Sequence, residues 1–164
     1  MNKTKVTLNL KPLYNKYSKI LILGSMPSIT SRNNNFYYAN KYNRFWKIIN
    51  NLFNTNLTTN IEKINYLLNK NIALYDIIKE CTITNSSDST ISNIKLTNIE
   101  TIIKNTNIKH VFCLGKLTYK LFNKYFSYLN IPYTYLPSPS SANASYSLDK
   151  LIEIYSIIKE KLDN

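Results

Sequence analysis

The sequence is short of glycine, with only two in 164 residues. Loops that bind nucleotide phosphates need several glycines close together, because the backbone must approach the phosphate groups closely. Gly24 and Gly115 lie in different segments of the chain. Neither a P-loop nor a dinucleotide-binding fingerprint can therefore be assembled from this sequence.

Histidine and cysteine are also scarce, with one His and two Cys. His110, Cys81 and Cys113 form none of the paired spacings that are typical of zinc sites, and an iron–sulfur cluster requires four ligands. We therefore expect neither a metal nor a cofactor. The few cysteines, the lack of a signal peptide and the lack of a long apolar run predict an intracellular, cytoplasmic protein without a membrane segment.

Acidic residues are few: nine Asp and Glu stand against 21 Lys and Arg, which gives a formal charge of +12 and a pI near 9.6. Such an excess of cations attracts a polyanion such as DNA through the release of counterions. The alternative is that many lysines are compositional, because the chain is rich in the Asn, Lys, Ile and Tyr that an AT-rich genome encodes. The charge favours nucleic-acid binding over this alternative.

Apolar residues make up 44% of the chain, which is enough to build a core. We expect one folded domain over residues 1–164, and a monomer. The continuous apolar runs 19–24 and 110–115 both end in glycine, which is typical of strands buried on both faces of a parallel sheet. Further strands are expected at 72–75 and 132–136, and helices at 43–54, 60–69, 97–106, 116–127 and 147–162.

Alternating strands and helices predict an α/β domain of three layers, α/β/α, with a central, mainly parallel, four-stranded sheet. Ligands of open parallel sheets bind beyond the carboxyl ends of the strands. Three loops begin there: one follows Gly24, one follows Gly115 and one spans residues 137–145. We expect the chemistry of the protein in these loops.

The first of these loops is dense in aromatic and amide side chains. Phe45 and Trp46 begin a helical apolar stripe and are expected in the core. Tyr37 and Tyr38 precede that helix, in a position to stack on a flipped or single-stranded base. Asn43 lies at the start of the helix, where its spacing alone favours a simple helix cap.

Two motifs in this region are recognisable. Residues 24–28 are Gly-Ser-Met-Pro-Ser, and residues 36–46 follow the pattern Phe-Tyr-Tyr-Ala-x-x-x-Asn-Arg-Phe-Trp. Together they closely resemble the hypoxanthine-DNA glycosylase branch of the uracil-DNA glycosylase superfamily. The resemblance continues, in the same order, through residues 71–78, 86–91 and 136–143.

The resemblance implies a uracil-DNA glycosylase-like fold and a monofunctional DNA glycosylase of base-excision repair. Such an enzyme flips a deaminated base, hypoxanthine or uracil, out of DNA and hydrolyses its N-glycosidic bond without a metal. The resemblance implies that Asn43 is the catalytic amide that positions water, which displaces the cap as its principal role. Mismatch-specific uracil glycosylases have their catalytic Asn at the position of Met26, where methionine cannot hydrogen-bond usefully. The implied base-binding residues are Gly24, Ser25, Met26, Pro27, Tyr37 and Tyr38.

DNA contacts are expected from the loops that surround this site. Small hydroxylated residues and backbone amides can approach phosphates closely while prolines keep a loop rigid, although an ordinary surface turn is the alternative. The helix that opens at Lys116 offers free N–H groups and a cation to a phosphate. The expected DNA-binding residues are Ser28, Arg44, Lys116, Ser138, Pro139, Ser140, Ser141 and Asn143.

The chain departs from the family pattern at some positions. Leu136 stands where the uracil-specific branch has a His, and Leu114 stands where members of the hypoxanthine branch often have an Asn. His110 is expected at the start of a strand without a catalytic part. Asp76 and Asp88 are expected to cap turns or helices, since Asp in such places is more often structural than catalytic.

Two other functions stay open at this point. One is a uracil-DNA glycosylase that acts on mispaired or single-stranded DNA. The other is an inactive DNA-binding derivative, favoured by Leu114 and by Asn40-Lys41-Tyr42 where the family tends to have a Pro-containing segment. Retention of Asn43 through Trp46 favours an enzyme whose partner is DNA with a damaged base.

Overall fold

The computed structural model describes residues 3–84 and 90–163. Its larger sheet has four strands, β2 (Ile20–Gly24), β3 (Ile72–Asp76), β6 (His110–Leu114) and β7 (Tyr133–Leu136). Their order is β3-β2-β6-β7, and every neighbouring pair is parallel. The expected four-stranded sheet is confirmed, and it is wholly rather than mainly parallel.

A second, smaller sheet was not expected from the sequence. Its strands are β1 (Thr4–Thr7), β4 (Ile78–Ile83) and β5 (Ser92–Leu96), which pair antiparallel in the order β1-β4-β5. Only one residue of β1 is buried, and none of β5 is fully buried. Strands with so little apolar alternation give a weak signal, which explains why the sequence did not predict them.

Seven α-helices lie among the described residues, together with a 3-10 turn at Ser127–Leu129. They are α1 (Ile29–Asn34), α2 (Phe45–Phe53), α3 (Asn60–Asn69), α4 (Ile99–Lys104), α5 (Lys116–Phe126), α6 (Leu148–Tyr155) and α7 (Ile157–Asp163).

The expected helices differ from these in two places. Helix α1 lies inside the stretch that was expected to be a loop; the Ser28 hydroxyl accepts from the Ser31 N–H at its start, and Asn35 ends it in the left-handed conformation. The expected helix 147–162 is divided into two at Ser156. The Ser156 hydroxyl donates to the Glu153 carbonyl at 2.7 Å, a local bond that competes with the helical ladder.

The larger sheet is covered on both faces, as the three-layer expectation requires. Ile20 and Ile22 of β2 pack in one core with buried residues of α2, α3, α6 and α7. Leu21 and Leu23 point to the opposite face and pack with α4, α5 and the small sheet. This alternation within one continuous apolar run is the reason why all five residues of β2 are buried.

The strand register sets the position of the functional site. Gly24 at the end of β2 pairs with Asp76 at the end of β3, and Leu114 of β6 pairs with Leu136 of β7. The loops that follow these strands therefore leave the sheet at one edge. Among the described residues, no helix is long and apolar enough to cross a membrane.

Candidate active site

A cavity of about 850 Å³ lies at this edge of the sheet. Its walls come from the loop after β2, from the end of β3 and from the loop after β7. Of the residues expected in the site, all but Arg44 and Lys116 line it. The lining comprises Gly24, Ser25, Met26, Pro27, Ser28, Ile29, Thr30, Ser31, Tyr37, Tyr38, Asn40, Asn43, Asp76, Leu114, Ser138, Pro139, Ser140, Ser141, Ala142 and Asn143.

Tyr37 and Tyr38 have different surroundings. Tyr37 is only 5% exposed, its hydroxyl donates to the Lys11 carbonyl at 2.6 Å, and its own carbonyl accepts from the Trp46 indole N–H. Tyr38 stacks on Phe45, with ring centroids 4.0 Å apart and planes 17° apart. The Tyr38 backbone is left-handed, at φ 53°, a strained conformation for a bulky residue. Packing on Phe45 thus fixes the Tyr38 ring at the cavity, and hydrogen bonds to the backbone of Lys11 and from Trp46 fix Tyr37 beside it.

The hydroxyl of Tyr38 is buried and finds no hydrogen-bond partner among the described residues. Burial raises the pKa of Tyr38 well above its ordinary value, and the nearby Asp76 charge adds to this increase. The phenol therefore stays protonated and able to donate.

Gly24 has no side chain at the point where the carboxylate of Asp76 packs. A Cβ at Gly24 would lie 2.5 Å from Asp76 Oδ1 and 3.1 Å from the Tyr38 hydroxyl. Asp76 is 3% exposed and lines the cavity. Only a glycine at this position allows the Asp76 carboxylate to pack so closely against the backbone, and the carboxylate thereby comes near the Tyr38 phenol.

Replacing Gly24 with Ala is expected to lower the free energy of unfolding by about 1–3 kcal/mol, because the new Cβ overlaps the Asp76 carboxylate. Thermal or denaturant unfolding measures the loss. Adding Asp76→Ala removes the overlapping oxygen, so the double variant should be more stable than the sum of the two single effects predicts. Simple additivity of the two effects would contradict the close approach.

Asn43 lies at the start of α2 with its side chain held in place. Its Oδ1 accepts from the Phe45 N–H at 2.8 Å, and its backbone N–H donates to the Asn40 carbonyl at 2.9 Å. This bond satisfies the first N–H of α2 from the residue before the N-cap, which is Arg44 and not Asn43 as the spacing favoured. It leaves a second lone pair on Oδ1, and the amide remains on the cavity wall.

Arg44 is the residue whose surroundings differ most from expectation. Its guanidinium donates to four backbone carbonyls of the loop after β7, and its backbone N–H donates to one of them. These carbonyls belong to Pro139, Ser140, Asn143 and Tyr146. The sequence suggested a cation facing DNA, whereas this geometry makes Arg44 a clasp between the start of α2 and the Pro-Ser loop, residues 137–146.

The Pro-Ser loop is also held together by hydrogen bonds among its own residues. The Ser138 hydroxyl accepts from the Ser140 N–H at 3.2 Å, and the Ser140 hydroxyl accepts from the Ala142 N–H at 3.2 Å. The Asn143 amide donates to the Ser138 carbonyl at 3.1 Å. A loop with so many local bonds presents its surface in one fixed shape.

The remaining expected residues lie around the cavity or away from it. Lys116 is exposed at the first position of α5 and does not line the cavity, although Gly115 before it approaches Ser138. His110 begins β6, as expected, with its Nε2 2.7 Å from the Thr134 hydroxyl. Asp88 and the segment around it lie outside the described residues. Leu114, at the end of β6, is 4% exposed on the cavity wall.

Asp76 lines the cavity although it was not among the expected site residues. It was expected to be structural, but its carboxylate lies in the cavity, and it is the only charged residue in the described lining. Its position at the end of a buried strand, next in register to the end of another, is a signal that could have identified it. Among residues 3–84 and 90–163, no group of three His, Cys, Asp or Glu side chains could hold a metal ion.

The chain is similar to proteins of a known family. The sequence model of the family described as the Uracil DNA glycosylase superfamily matches residues 11–159. A relative named Hypoxanthine DNA glycosylase, from Methanosarcina acetivorans, is 26% identical over 135 residues, covering 81% of this chain and 85% of the relative.

A solved structure also resembles this one. It is an NMR structure from Methanosarcina acetivorans whose name gives it as a candidate uracil DNA glycosylase. It matches with a TM-score of 0.80 at 22% identity, over 95% of this chain and 99% of the other. At this identity the match establishes a shared fold.

Proposed function

Because the chain belongs to the uracil DNA glycosylase superfamily, we propose that it excises deaminated bases from DNA, with hypoxanthine as the main substrate and uracil as a second. The observation that carries the proposal is the convergence of Tyr38 and Asn43 on one cavity of about 850 Å³. A cavity of this size accepts a small ligand. The relative named Hypoxanthine DNA glycosylase supports the choice of hypoxanthine.

The base is proposed to enter the cavity after it has been flipped out of the DNA stack. Tyr38 offers the hydroxyl edge of its ring to the base, and Phe45, stacked on the ring face, holds it in place. Ser25, Met26 and Pro27, from the loop after β2, form the adjoining wall. The rigid backing of Tyr38 reduces the entropy lost when the base is ordered.

The glycosidic bond is proposed to break with oxocarbenium character on the sugar, so a water must be held close to C1′. The second lone pair of Asn43 Oδ1 accepts a hydrogen bond from that water. The Phe45 N–H fixes the orientation of the amide at 2.8 Å. Because an amide is a poor base, catalysis rests on positioning of the water rather than on proton abstraction.

The departing base gains negative charge, which donors around it must stabilise. We propose that the backbone N–H groups of Ser25 and Met26 supply this stabilisation, because these residues directly follow Gly24, the last residue of β2, and line the cavity. No cofactor is assigned to the reaction, which is a hydrolysis.

The DNA backbone is proposed to lie across the Pro-Ser loop, with Ser138, Pro139, Ser140, Ser141 and Asn143 near the phosphates. Ser28 and the exposed Lys116 would flank it, and the net charge of +12 would attract the duplex. Arg44 contributes by holding the loop, since its donors are directed to the loop carbonyls. The protein is proposed to act as a monomer.

Duplexes that carry a single hypoxanthine, uracil or ethenoadenine test this proposal. After incubation with the protein, alkali cleaves the strand wherever a base has been removed. We expect strand cleavage at hypoxanthine, and weaker cleavage at uracil. Cleavage at uracil alone would indicate a uracil-DNA glycosylase, and binding without cleavage of any duplex would indicate a DNA-binding module.

A further inference from the structure

Two buried polar groups at the cavity, the carboxylate of Asp76 and the hydroxyl of Tyr38, have no part in the proposed reaction. Asp76 is 3% exposed at the end of β3, and the buried Tyr38 hydroxyl has no partner among the described residues. Both oxygens approach the same point above Gly24, at 2.5 Å and 3.1 Å from a Cβ placed there. We propose that Asp76 and Tyr38 select deaminated bases as a class by reading the ring N–H and the neighbouring carbonyl that these bases share.

Because these groups are buried, they are suited to bind a flipped base rather than the DNA backbone. A flipped nucleotide enters its pocket with the base first, while the sugar and phosphates stay at the mouth. Asp76 is buried at the end of β3, whereas Asn43 is half-buried and Ser141 is exposed. The described lining has no Lys or Arg to attract a phosphate, and a carboxylate at Asp76 would repel one. The group that it fits is a neutral ring that presents a donor.

Deamination produces that donor. Hypoxanthine has N1–H beside the C6 carbonyl, and uracil has N3–H beside the C4 carbonyl, whereas adenine N1 and cytosine N3 are acceptors without a hydrogen. An ionised carboxylate can only accept, and a protonated phenol can donate. Asp76 therefore accepts from the ring N–H, and Tyr38 donates to the carbonyl. Against adenine, the carboxylate would face a lone pair, and this contact is repulsive.

The inference rests on the proposed function only in taking a flipped base as the occupant of the cavity. Binding is the appropriate measurement, because a carboxylate near a departing base also alters the rate of cleavage. The probes are short single-stranded oligonucleotides with one central hypoxanthine, adenine or unsubstituted purine. A 2′-fluorine on that nucleotide prevents hydrolysis by disfavouring the oxocarbenium ion. Single strands remove the differing cost of breaking each base pair.

The wild-type protein should bind the hypoxanthine oligonucleotide at least about 10-fold more tightly than the other two, because each loses its hydrogen bonds to Asp76 and Tyr38. Asp76→Asn should reduce this ratio to near unity, since an amide can donate or accept at the same place. Tyr38→Phe removes only the unpartnered hydroxyl and keeps the ring. It should lower the ratio without lowering the melting temperature, so it tests the inference even if Asp76→Asn is unstable.

Asp163→Asn is the matched control. It removes the same charge from an exposed position on α7, beside Asn71 at the opposite end of β3. The control should bind all three oligonucleotides as the wild type does. An unchanged ratio in Asp76→Asn and Tyr38→Phe, or equal binding of all three oligonucleotides by the wild type, would overturn the inference.

Failure of the inference is distinguishable from failure of the proposed function. If the protein cleaves an unmodified hypoxanthine duplex but the binding ratio is unchanged in Asp76→Asn and Tyr38→Phe, the glycosylase activity is supported and the selection mechanism is overturned. A ratio that collapses in Asp76→Asn, without cleavage of any unmodified duplex, would support the selection mechanism and overturn excision.

Discussion

Replacing Asn43 with Ala is expected to lower the rate of hypoxanthine excision by at least about 100-fold, because the reacting water loses the group that positions it. The loss of the hydrogen bond from the Phe45 N–H should cost about 1 kcal/mol of stability, which the fold can tolerate. DNA binding should change little, since the amide acts on the water. Single-turnover cleavage of a hypoxanthine duplex, together with fluorescence anisotropy of the bound DNA, measures both quantities.

Asn43→Ser separates the two roles of the side chain. A serine hydroxyl can also accept from the backbone N–H two residues on, so this variant should recover most of the stability lost in Asn43→Ala. Its hydroxyl is shorter than the Asn amide and does not reach the same place, so excision should stay low. If Asn43→Ala cleaves hypoxanthine as fast as the wild type, Asn43 is not the catalytic amide. If Asn43→Ser restores full activity, the hydrogen bond to the Phe45 N–H is the essential role of the side chain.

The larger sheet could be predicted because its strands carry an unambiguous local signal. Residues 20–24 and 110–114 are continuous apolar runs, and burial on both faces of a parallel sheet requires that pattern. The small antiparallel sheet could not be predicted, since β1 and β5 contribute mostly exposed residues and are stabilised by pairing with β4. The pairing of β1 with β4 also joins segments far apart in the chain and leaves little trace in local sequence.

The same distinction applies to the candidate site, where residues of a local motif could be predicted and long-range contacts could not. Residues that share a short motif, such as Tyr38 and Asn43, could be located from the sequence because the motif is contiguous. The position of Asp76 at the end of a predicted strand could be read from the sequence, but its close approach to Gly24 on the neighbouring strand could not. Arg44 was assigned to DNA on its charge, but its partners lie about 100 residues further along the chain. Charge is a property of the sequence, whereas hydrogen-bond partners depend on the tertiary structure.

Arg44→Lys is expected to impair both stability and excision although it keeps the positive charge. A lysine ammonium cannot match the planar guanidinium that reaches several loop carbonyls, so most of these bonds should be lost. The free energy of unfolding should fall by about 2–3 kcal/mol, which corresponds to a melting temperature lower by about 5–10 °C. Excision should fall because the Pro-Ser loop no longer keeps its fixed position relative to Asn43. Thermal unfolding and single-turnover cleavage measure these effects.

Lys47→Ala is the matched control, because it removes a positive charge from an exposed position on the same helix. If Arg44 acts as a clasp, Arg44→Lys should be less stable than Lys47→Ala, and the salt dependence of DNA binding by Arg44→Lys should match that of the wild type. If Arg44 instead contacts a phosphate directly, Arg44→Lys should behave as the wild type does. Arg44→Ala should then lower the slope of log K against log salt concentration by about one. A stable, active Arg44→Lys variant would therefore exclude the clasp, since lysine retains the charge but not the geometry of the guanidinium.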